Sequence, residues 1–228
     1  MKRRGFVSVL PTVIGMGIIT SAESSNQKVP SGKSDSQDHA TIAQIVVAER
    51  WARDMAQWDV MRAAYHPGAM VEISWFTGPA TEFVNRSKQS YERGARSLHL
   101  HGPVLVDVQG DRATAEIGAM IMAPGNIKGV ECVTQSYARL VERLERHKGK
   151  WGITLFQAIY QMETITAVNP AKKLDFDEEK LASYRPSYRY LTYLLMERNT
   201  KVRLDLPGID KPESVEAVYQ ANRYWLKG

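Results

Sequence analysis

The sequence predicts an α+β fold, with a curved antiparallel sheet, helices packed on one face of it, and a helical C-terminal extension. Two segments with helical spacing of apolar residues come first, and strand-like segments joined by short polar turns follow them. A further helical pattern begins after Asn169-Pro170. Helices that precede an antiparallel meander typically pack together on one face of its sheet. The order of the segments therefore predicts the architecture.

The first predicted helix spans residues 40–64, which contain no Gly or Pro and carry apolar residues at mostly three- and four-residue spacings. His66-Pro67-Gly68 is expected to end it. A second helix is predicted over residues 82–96, after a turn at Thr77-Gly78-Pro79. Strands are predicted near residues 69–76, 98–108, 112–122, 133–143 and 151–164, with a hairpin turn at Gln109-Gly110-Asp111.

Composition is typical of a globular protein. The chain has 228 residues, of which 43% are hydrophobic and 24% charged, and these values exclude collagen-like and wholly disordered chains. A single cysteine, Cys132, excludes an internal disulfide framework and a Cys-rich zinc module. The formal net charge is +5, but three positive residues lie at positions 2–4. The remaining excess is too small to predict nucleic-acid binding from charge alone.

Residues 1–22 are typical of a secretory signal peptide. Lys2, Arg3 and Arg4 precede an uncharged stretch that ends in small residues at Ala22, and the arginine pair resembles a twin-arginine export signal. The alternative is a retained membrane anchor, for which a stretch interrupted by Pro11 is short and broken. Residues 23–39 are polar and are expected to form a flexible lead-in. We therefore predict an exported protein, periplasmic or secreted, with no stable membrane span after processing.

Asp54 is the most informative residue of the first predicted helix. At helical spacing its neighbours include Arg50, Trp51 and Trp58, so both tryptophans share its face. A carboxylate on an apolar face is unusual, because burial without a partner is costly and raises its pKa. Either Asp54 has a chemical role, or it forms a salt bridge with Arg50 or lies solvated on the helix flank.

His99 and His101 form the second candidate site. In an extended strand both side chains point to one face, with Leu98 and Leu100 on the other. The following Gly102-Pro103 favours a bulge or an edge strand at this point. An imidazole can act as a base or acid near neutral pH, and two histidines at this spacing can also bind a metal. The remaining interpretation is that both are ordinary, partly exposed histidines.

Five short motifs occur in order between residues 40 and 168. They are Arg-Trp-Ala-Arg-Asp at 50–54, His-Pro-Gly-Ala at 66–69, Leu-His-Leu-His-Gly-Pro at 98–103, Val-Gln-Gly-Asp-Arg-Ala at 108–113 and Gly-Lys-Trp-Gly-Ile at 149–153. This set resembles the SnoaL-like branch of the NTF2-like superfamily, which includes scytalone dehydratase, a dehydrochlorinase, bile-acid dehydratases and polyketide cyclases. The resemblance implies a cone-shaped α+β barrel with a deep apolar pocket.

The resemblance also implies a role for Asp54 and His99. In the dehydratase and dehydrochlorinase members, an Asp late in the first helix orients a strand His that removes a proton, and these residues correspond to Asp54 and His99. The Asp would hold the imidazole tautomer and stabilise the imidazolium. One departure is Arg53, which stands where scytalone dehydratase has a tyrosine, so the tyrosine-dependent activation of that enzyme is not implied here.

Large aromatic and sulfur-containing side chains on the elements expected to line the cone predict an apolar, ring-sized small-molecule ligand. We expect no cofactor and no metal: the chain has no Gly-rich phosphate motif, and the family assigns Asp54 to His99. A site of two histidines and one carboxylate nevertheless stays open as an alternative. The predicted substrate-binding residues are Trp51, Trp58, Trp75, His101, Met120, Phe156 and Tyr160.

Residues 169–228 form the predicted helical extension, with a break or kink at Pro186. It is expected to pack on the barrel, cover the pocket mouth or form a subunit contact in a homo-oligomer, and we expect no nucleic-acid partner. Two functions remain from the sequence. One is an exported lyase or isomerase, of dehydratase type, that uses an Asp–His pair for proton abstraction. The other is a non-catalytic binding protein for an apolar small molecule.

Overall fold

The computed structural model of the protein describes residues 33–228, and side chains from residue 36 onward. The predicted signal segment, residues 1–22, and the lead-in up to residue 32 lie outside the described residues. The elements in chain order are α1 (Lys33–Asp54), α2 (Trp58–Ala63), β1 (Tyr65–Ile73), β2 (Phe76–Pro79), α3 (Ala80–Glu92), β3 (Leu98–Gln109), β4 (Arg112–Ile127), β5 (Val130–His147), β6 (Lys150–Ala167), α4 (Glu178–Ala182), a single 3₁₀ turn (Pro186–Tyr188), α5 (Arg189–Glu197) and α6 (Pro212–Lys227).

The predicted α+β class with a curved sheet is confirmed, but the sheet is not closed into a barrel. Its six strands follow the order β2-β1-β6-β5-β4-β3, so β2 and β3 are its two edges. Strands β3 to β6 form the predicted antiparallel meander. Strand β1 pairs with β6 in parallel, because the chain passes through α3 and the whole meander before β6 returns beside it. The prediction of a purely antiparallel sheet is therefore wrong at this pair.

The first helix begins earlier than predicted. It starts at Lys33, within the segment that the sequence assigns to the flexible lead-in. Asp38 explains the extension, because its carboxylate accepts hydrogen bonds from Arg146 Nη1 at 3.0 Å and from Trp151 Nε1 at 2.9 Å. These bonds tie the first turns of the helix to the β5–β6 hairpin, which the polar composition of the segment does not reveal.

The predicted helix over residues 40–64 is two helices. Helix α1 ends at Asp54, and the chain turns at Ala56, whose φ of 57° is left-handed, before α2 starts at Trp58. The backbone N–H of Gln57 donates to the Ala52 carbonyl at 2.7 Å and closes this turn. Asp54 is thus the last residue of α1, and Trp58 belongs to a different helix.

The strands extend beyond their predicted bounds, and one predicted turn is wrong. Thr77 to Pro79 are part of strand β2, and the chain reverses two residues earlier, at Ser74-Trp75. The predicted hairpin turn at Gly110 is confirmed, and its φ of 62° suits glycine. Gly102-Pro103 was predicted to lie at a bulge or on an edge strand, and both are found. Strand β3 is an edge strand, and its register with β4 shifts between His101 and Val104.

Helices cover both faces of the sheet. Helices α1 and α3 lie on the inner face, where α1 packs against β3, β4 and β6 and α3 packs against β1 and β2, and α6 lies on the outer face against Val141 and Ile159. The prediction of helices on one face is therefore correct for residues 40–168 and wrong for α6 of the extension. None of the helices within residues 33–228 is both long and apolar enough to span a membrane.

Glu163 anchors the extension over the inner face. Its carboxylate accepts hydrogen bonds from the backbone N–H groups of Tyr190, at 2.8 Å, and Leu191, at 3.1 Å, which start helix α5. Ser136 Oγ donates to the same carboxylate. Burial raises the pKa of Glu163 to about 7, against the opposite effect of these donors. The extension is expected from sequence to pack on the barrel or cover the pocket, and this contact holds it there.

A buried ionisable cluster lies in the inner core. Glu49 pairs with Arg50 and accepts a hydrogen bond from Tyr65 Oη at 2.7 Å. Glu142 of β5 lies close to them, is 1% exposed, and neither of its carboxylate oxygens has a hydrogen-bond partner among the described residues. Burial, and then the charge of Glu49, raise the pKa of Glu142 well above 4.5, while Arg50 opposes them. Glu142 therefore holds its proton to a higher pH in the folded protein than an ordinary glutamate does.

The raised pKa of Glu142 predicts a pH-dependent loss of stability. Above about pH 4.5 the unfolded chain loses the proton of Glu142 and the folded chain keeps it, so the free energy of unfolding falls as pH rises. Glu142→Gln removes this contribution to the pH dependence of the free energy of unfolding. We expect its free energy of unfolding, relative to the original protein, to improve by up to about 1.4 kcal/mol per pH unit as pH rises from 4.5 towards the raised pKa of Glu142 in the folded protein.

Urea unfolding over this pH range measures the effect. Glu131→Gln is the matched control, since Glu131 is an exposed glutamate on the same strand. Curves for Glu142→Gln that stay parallel to those of the original protein would contradict a raised pKa of Glu142.

Candidate active site

Asp54 and His99 are in direct contact at the junction of α1 and β3. Asp54 Oδ1 lies 2.8 Å from His99 Nδ1, and Oδ2 accepts a hydrogen bond from the His99 backbone N–H at 2.7 Å. Both side chains are buried, at 7% and 6% exposed. The predicted contact is therefore present, and one carboxylate holds both the ring and the backbone of His99.

This contact selects one tautomer of His99. A carboxylate accepts hydrogen bonds only, so Nδ1 carries the proton and Nε2 keeps its lone pair. Burial lowers the pKa of His99, the hydrogen bond to Asp54 partly offsets this effect, and the charges of Arg50 and Arg53 lower the pKa again, so that it lies at about 4. The ring is neutral at neutral pH, and Nε2 has no hydrogen-bond partner within residues 33–228.

Asp54 itself is ionised. Burial alone would raise its pKa, but the bonds from the His99 ring and backbone, together with the charge of Arg53, hold the pKa below its ordinary value of 3.8. The Arg53 guanidinium lies 3.3 Å from Asp54 Oδ1 and donates to Ser97 Oγ. The contact predicted as an alternative, a salt bridge between Asp54 and Arg50, is absent because Arg50 pairs with Glu49.

His99 lies on the wall of a cavity of about 880 Å³ between the inner face of the sheet, α3 and α5. Asp54 lies behind His99 and does not line this cavity. A volume of this size suits a ligand of several rings. Most of the inner wall is apolar and includes Ile73, Trp75, Ile121, Leu140, Phe156 and Leu191.

Three of the seven predicted substrate-binding residues line the cavity. Trp75 and Phe156 belong to its apolar wall, and Tyr160 joins them from β6. The Tyr160 hydroxyl accepts a hydrogen bond from the Ser74 backbone N–H at 3.0 Å, and burial raises the pKa of this phenol to about 12. Tyr160 therefore offers the cavity a neutral ring whose hydroxyl is held by the β1–β2 turn.

Trp51 and Trp58, two of the predicted substrate-binding residues, do not line the cavity. Trp51 is 48% exposed, because the inward face of α1 is formed by Arg50 and Ala52 instead. Trp58 lies in α2, beyond the break at Ala56, and its ring packs edge-on against Tyr91 of α3 at 5.8 Å. The continuous helix assumed from the sequence placed both on the face of Asp54.

Met120 and His101 are also absent from the cavity wall. Met120 points to the outer face of β4, since its neighbours Ala119 and Ile121 occupy the inner face. His101 shares the face of His99, with 6.1 Å between the ring centroids, but the bulge after it leaves its Nε2 buried without a hydrogen-bond partner among the described residues. Burial lowers the pKa of His101.

Arg50 and Arg53 line the cavity, and the sequence analysis did not assign them to it. Their spacing relative to Asp54 could have indicated this position, because residues 50, 53 and 54 lie within one turn of α1. The Arg50 guanidinium also lies 4.7 Å from the centroid of the Phe156 ring, which stabilises a buried cation.

No group of three or more His, Cys, Asp or Glu side chains converges on one point within residues 33–228 in the way that a metal site requires. His99 Nδ1 is bonded to Asp54, so this carboxylate and this nitrogen are already used by each other. The described residues therefore do not fit the site of two histidines and one carboxylate that the sequence left open.

A family model described as a SnoaL-like domain matches residues 34–157. Pea pathogenicity protein 2 of Fusarium vanettenii is 32% identical over 194 residues, which cover 80% of this chain and 83% of that protein. The family match includes all of α1 except Lys33 and the whole of β3, and therefore both Asp54 and His99.

Among solved structures, a protein of unknown function from Mycobacterium tuberculosis, Rv3472, superimposes with a TM-score of 0.50 at 14% identity, over 76% of this chain and 96% of that one. An NTF2-like protein of unknown function from Pseudomonas putida covers 62% of this chain and 96% of its own, with a TM-score of 0.45 at 14% identity. Because the family match extends over more than half of the sequence, the chain belongs to the SnoaL-like domain family.

Proposed function

We propose that this protein is an enzyme of lyase or isomerase type, dehydratase-like, in which His99 removes a proton from a small, ring-containing substrate. The observation that carries the proposal is the Asp54–His99 contact, which leaves Nε2 without a partner among the described residues, on a ring that lines a cavity with an apolar inner wall. A neutral, oriented imidazole beside a substrate-sized cavity has the features of a general base.

The proposed step is an elimination. His99 Nε2 takes a proton from a carbon atom, the electron pair of the C–H bond forms a new double bond, and the leaving group on the adjacent carbon departs with the electrons of its own bond. The imidazolium then returns the proton to the departing hydroxide or halide. In an isomerisation the proton returns to a different carbon instead. Neither route requires an additional reactant.

Asp54 is a positioning residue in this proposal. It does not line the cavity, and it acts through the two hydrogen bonds that hold His99. Its negative charge stabilises the imidazolium that forms when Nε2 accepts a proton. Arg53 lies beside this pair on the cavity wall, where its guanidinium can stabilise negative charge that develops on the substrate.

The second candidate function is binding of an apolar small molecule without catalysis. The observation that favours it is the apolar inner wall of the cavity, which can hold a ligand whether or not His99 acts on it. The two functions differ in one respect that can be measured: a binding protein returns its ligand unchanged.

The first prediction compares the two histidines of β3. His99→Gln is expected to reduce kcat/KM by roughly a hundredfold or more, the usual contribution of a general base. His101→Gln is the matched control, on the same strand and face but outside the cavity wall, and should retain activity. The assay uses a substrate identified by mass spectrometry of compounds that copurify with the protein. Equal losses in both variants would contradict the assignment of the base to His99.

The second prediction concerns Asp54→Asn and needs no substrate. An asparagine cannot accept both hydrogen bonds from His99 with its single carbonyl oxygen. Because Asp54 raises the pKa of His99 against the effect of burial, the variant should lower that pKa below about 4 and weaken the preference for the Nδ1–H tautomer. Nitrogen NMR of labelled histidine over a pH series measures both properties.

Asp59→Asn is the control for this experiment, since Asp59 is exposed and lies on α2. A His99 signal that is the same in Asp54→Asn and in the original protein would show that the carboxylate does not set the state of the ring. An active Asp54→Asn enzyme is expected to lose kcat while KM stays nearly unchanged, because Asp54 does not touch the substrate.

The proposal includes export, which rests on residues 1–22 and thus on sequence alone. The basic head, the uncharged stretch and the small residues before Glu23 predict that the mature protein begins near Glu23 outside the cytoplasm. N-terminal sequencing of protein isolated from its native cell tests this. Recovery of a chain that starts at Met1 from the cytoplasmic fraction would show that the segment is not a cleaved signal.

A further inference from the structure

Among the residues that the structure describes, the cavity wall carries six arginines and no acidic side chain. Arg50 and Arg53 belong to its buried part, and the others come from α3, the segment that follows it and the end of α5. The side chains of Asp54, Glu49 and Glu142 lie behind this wall. The outer arginines are Arg86, Arg93, Arg96 and Arg198.

Three of the outer arginines have no carboxylate partner in the described chain. Arg86 pairs with Glu82, but the Arg93 side chain makes no hydrogen bond to another residue within 33–228. Arg96 donates to the backbone carbonyls of Tyr91 and Ala95, and Arg198 donates to the Pro124 carbonyl at 2.9 Å. Three uncompensated positive charges therefore surround one opening.

Helix capping explains only part of this arrangement. Arg93 and Arg96 follow the C-terminal end of α3, and Arg198 follows that of α5. A cation near a helix C-terminus is stabilised by the helix dipole. This accounts for a positive residue at each helix end, but not for the meeting of both ends at the same cavity with no acid on its wall.

The exposure of these arginines divides the cavity into two zones. The arginines without carboxylate partners are exposed and mark the mouth, whereas the apolar residues and His99 are buried or half-buried and form the interior. A ligand that matches both zones has an apolar ring body and one anionic group at its outer end. The planar guanidinium of arginine binds a carboxylate through paired hydrogen bonds.

We infer that the substrate of this cavity is an amphipathic organic acid, a ring compound whose body fills the interior beside His99 and whose carboxylate binds the arginines of the mouth. This inference rests on the proposed function for the identification of the cavity as the substrate site. It narrows the substrate from apolar ring compounds in general to those that carry a negative charge.

A matched pair of fluorescent probes tests the inference. Anilinonaphthalene sulfonate has a negative charge, and N-phenylnaphthylamine has the same rings without it. The original full-length protein should bind both, and each probe should displace the other, as expected for one shared cavity. Binding of the sulfonate, but not of the neutral probe, should weaken as salt concentration rises, because salt screens its attraction to exposed arginines.

The decisive variant is the double substitution Arg93→Gln with Arg198→Gln. It should raise the dissociation constant of the sulfonate roughly threefold to tenfold, the scale of two exposed charge interactions, and leave that of the neutral probe unchanged. Unchanged binding of the neutral probe also shows that the variant is folded. Arg223→Gln, on α6 at the opposite face of the sheet, is the control and should change neither constant.

Each other outcome has a definite meaning. If the neutral probe binds and the double variant holds both probes as the original protein does, the arginines do not select an anion and the inference is wrong, while the proposed function stands. If the double variant weakens both probes equally, the arginines act through structure and the inference is also wrong. If neither probe binds the original protein, the cavity does not accept ring compounds, and the proposed function fails together with the inference.

Discussion

The two hydrogen bonds from His99 to the Asp54 carboxylate are the constraint on which the site depends. The bond from the backbone N–H, at 2.7 Å, fixes the edge strand β3 against the end of α1. The bond from Nδ1, at 2.8 Å, fixes the ring on that strand. Because both bonds end on one rigid carboxylate, the helix end, the strand and the imidazole cannot shift independently. The same group that positions the strand therefore also sets the tautomer of His99.

An edge strand makes this arrangement available. In a sheet, every second backbone N–H of an edge strand points away from its only neighbour and needs a partner elsewhere. Asp54 supplies that partner for His99, which also reduces the cost of burying the carboxylate. The end of α1 at this residue matters for the same reason. If α1 continued past Ala56, the longer helix would occupy the space beside β3.

The sequence predicted the Asp54–His99 contact but not the walls around it. Helical spacing and the resemblance to a family located both residues, because each lies in a local motif. The break at Ala56 has no such signal, since alanine is the strongest helix former and its positive φ is imposed by the packing of α2. That break separates Trp58 from the site, whereas Trp51 is exposed because Arg50 and Ala52 form the inward face of α1. Met120 was misplaced for another reason. It was predicted from its residue type, whereas successive side chains of β4 point to opposite faces of the sheet and Met120 lies on the outer one.

The arginines could not be found from the sequence by any local rule. This holds for the outer arginines, which come from α3, the segment after it and the end of α5, and which the anchoring of α5 by Glu163 helps to bring to one cavity. Arg198 is 105 residues from Arg93 in the chain, so no spacing relates them. Tertiary structure determines this part of the site, whereas local structure determines the position of the base.

The charges around His99 have two opposite effects on the proposed reaction. Burial and the two inner arginines lower the pKa of His99 to about 4, which keeps the ring neutral and ready to accept a proton. The same effects make it a weak base, so it can remove only a proton that the substrate has already acidified, such as one beside a carbonyl group. Negative charge that develops on that carbonyl would then be stabilised by the cationic wall, where Arg53 lies beside the His99–Asp54 pair. The positive charges that weaken His99 as a base therefore stabilise the anion that the proton transfer forms. This balance selects substrates in which a C–H bond lies next to an electron-withdrawing group.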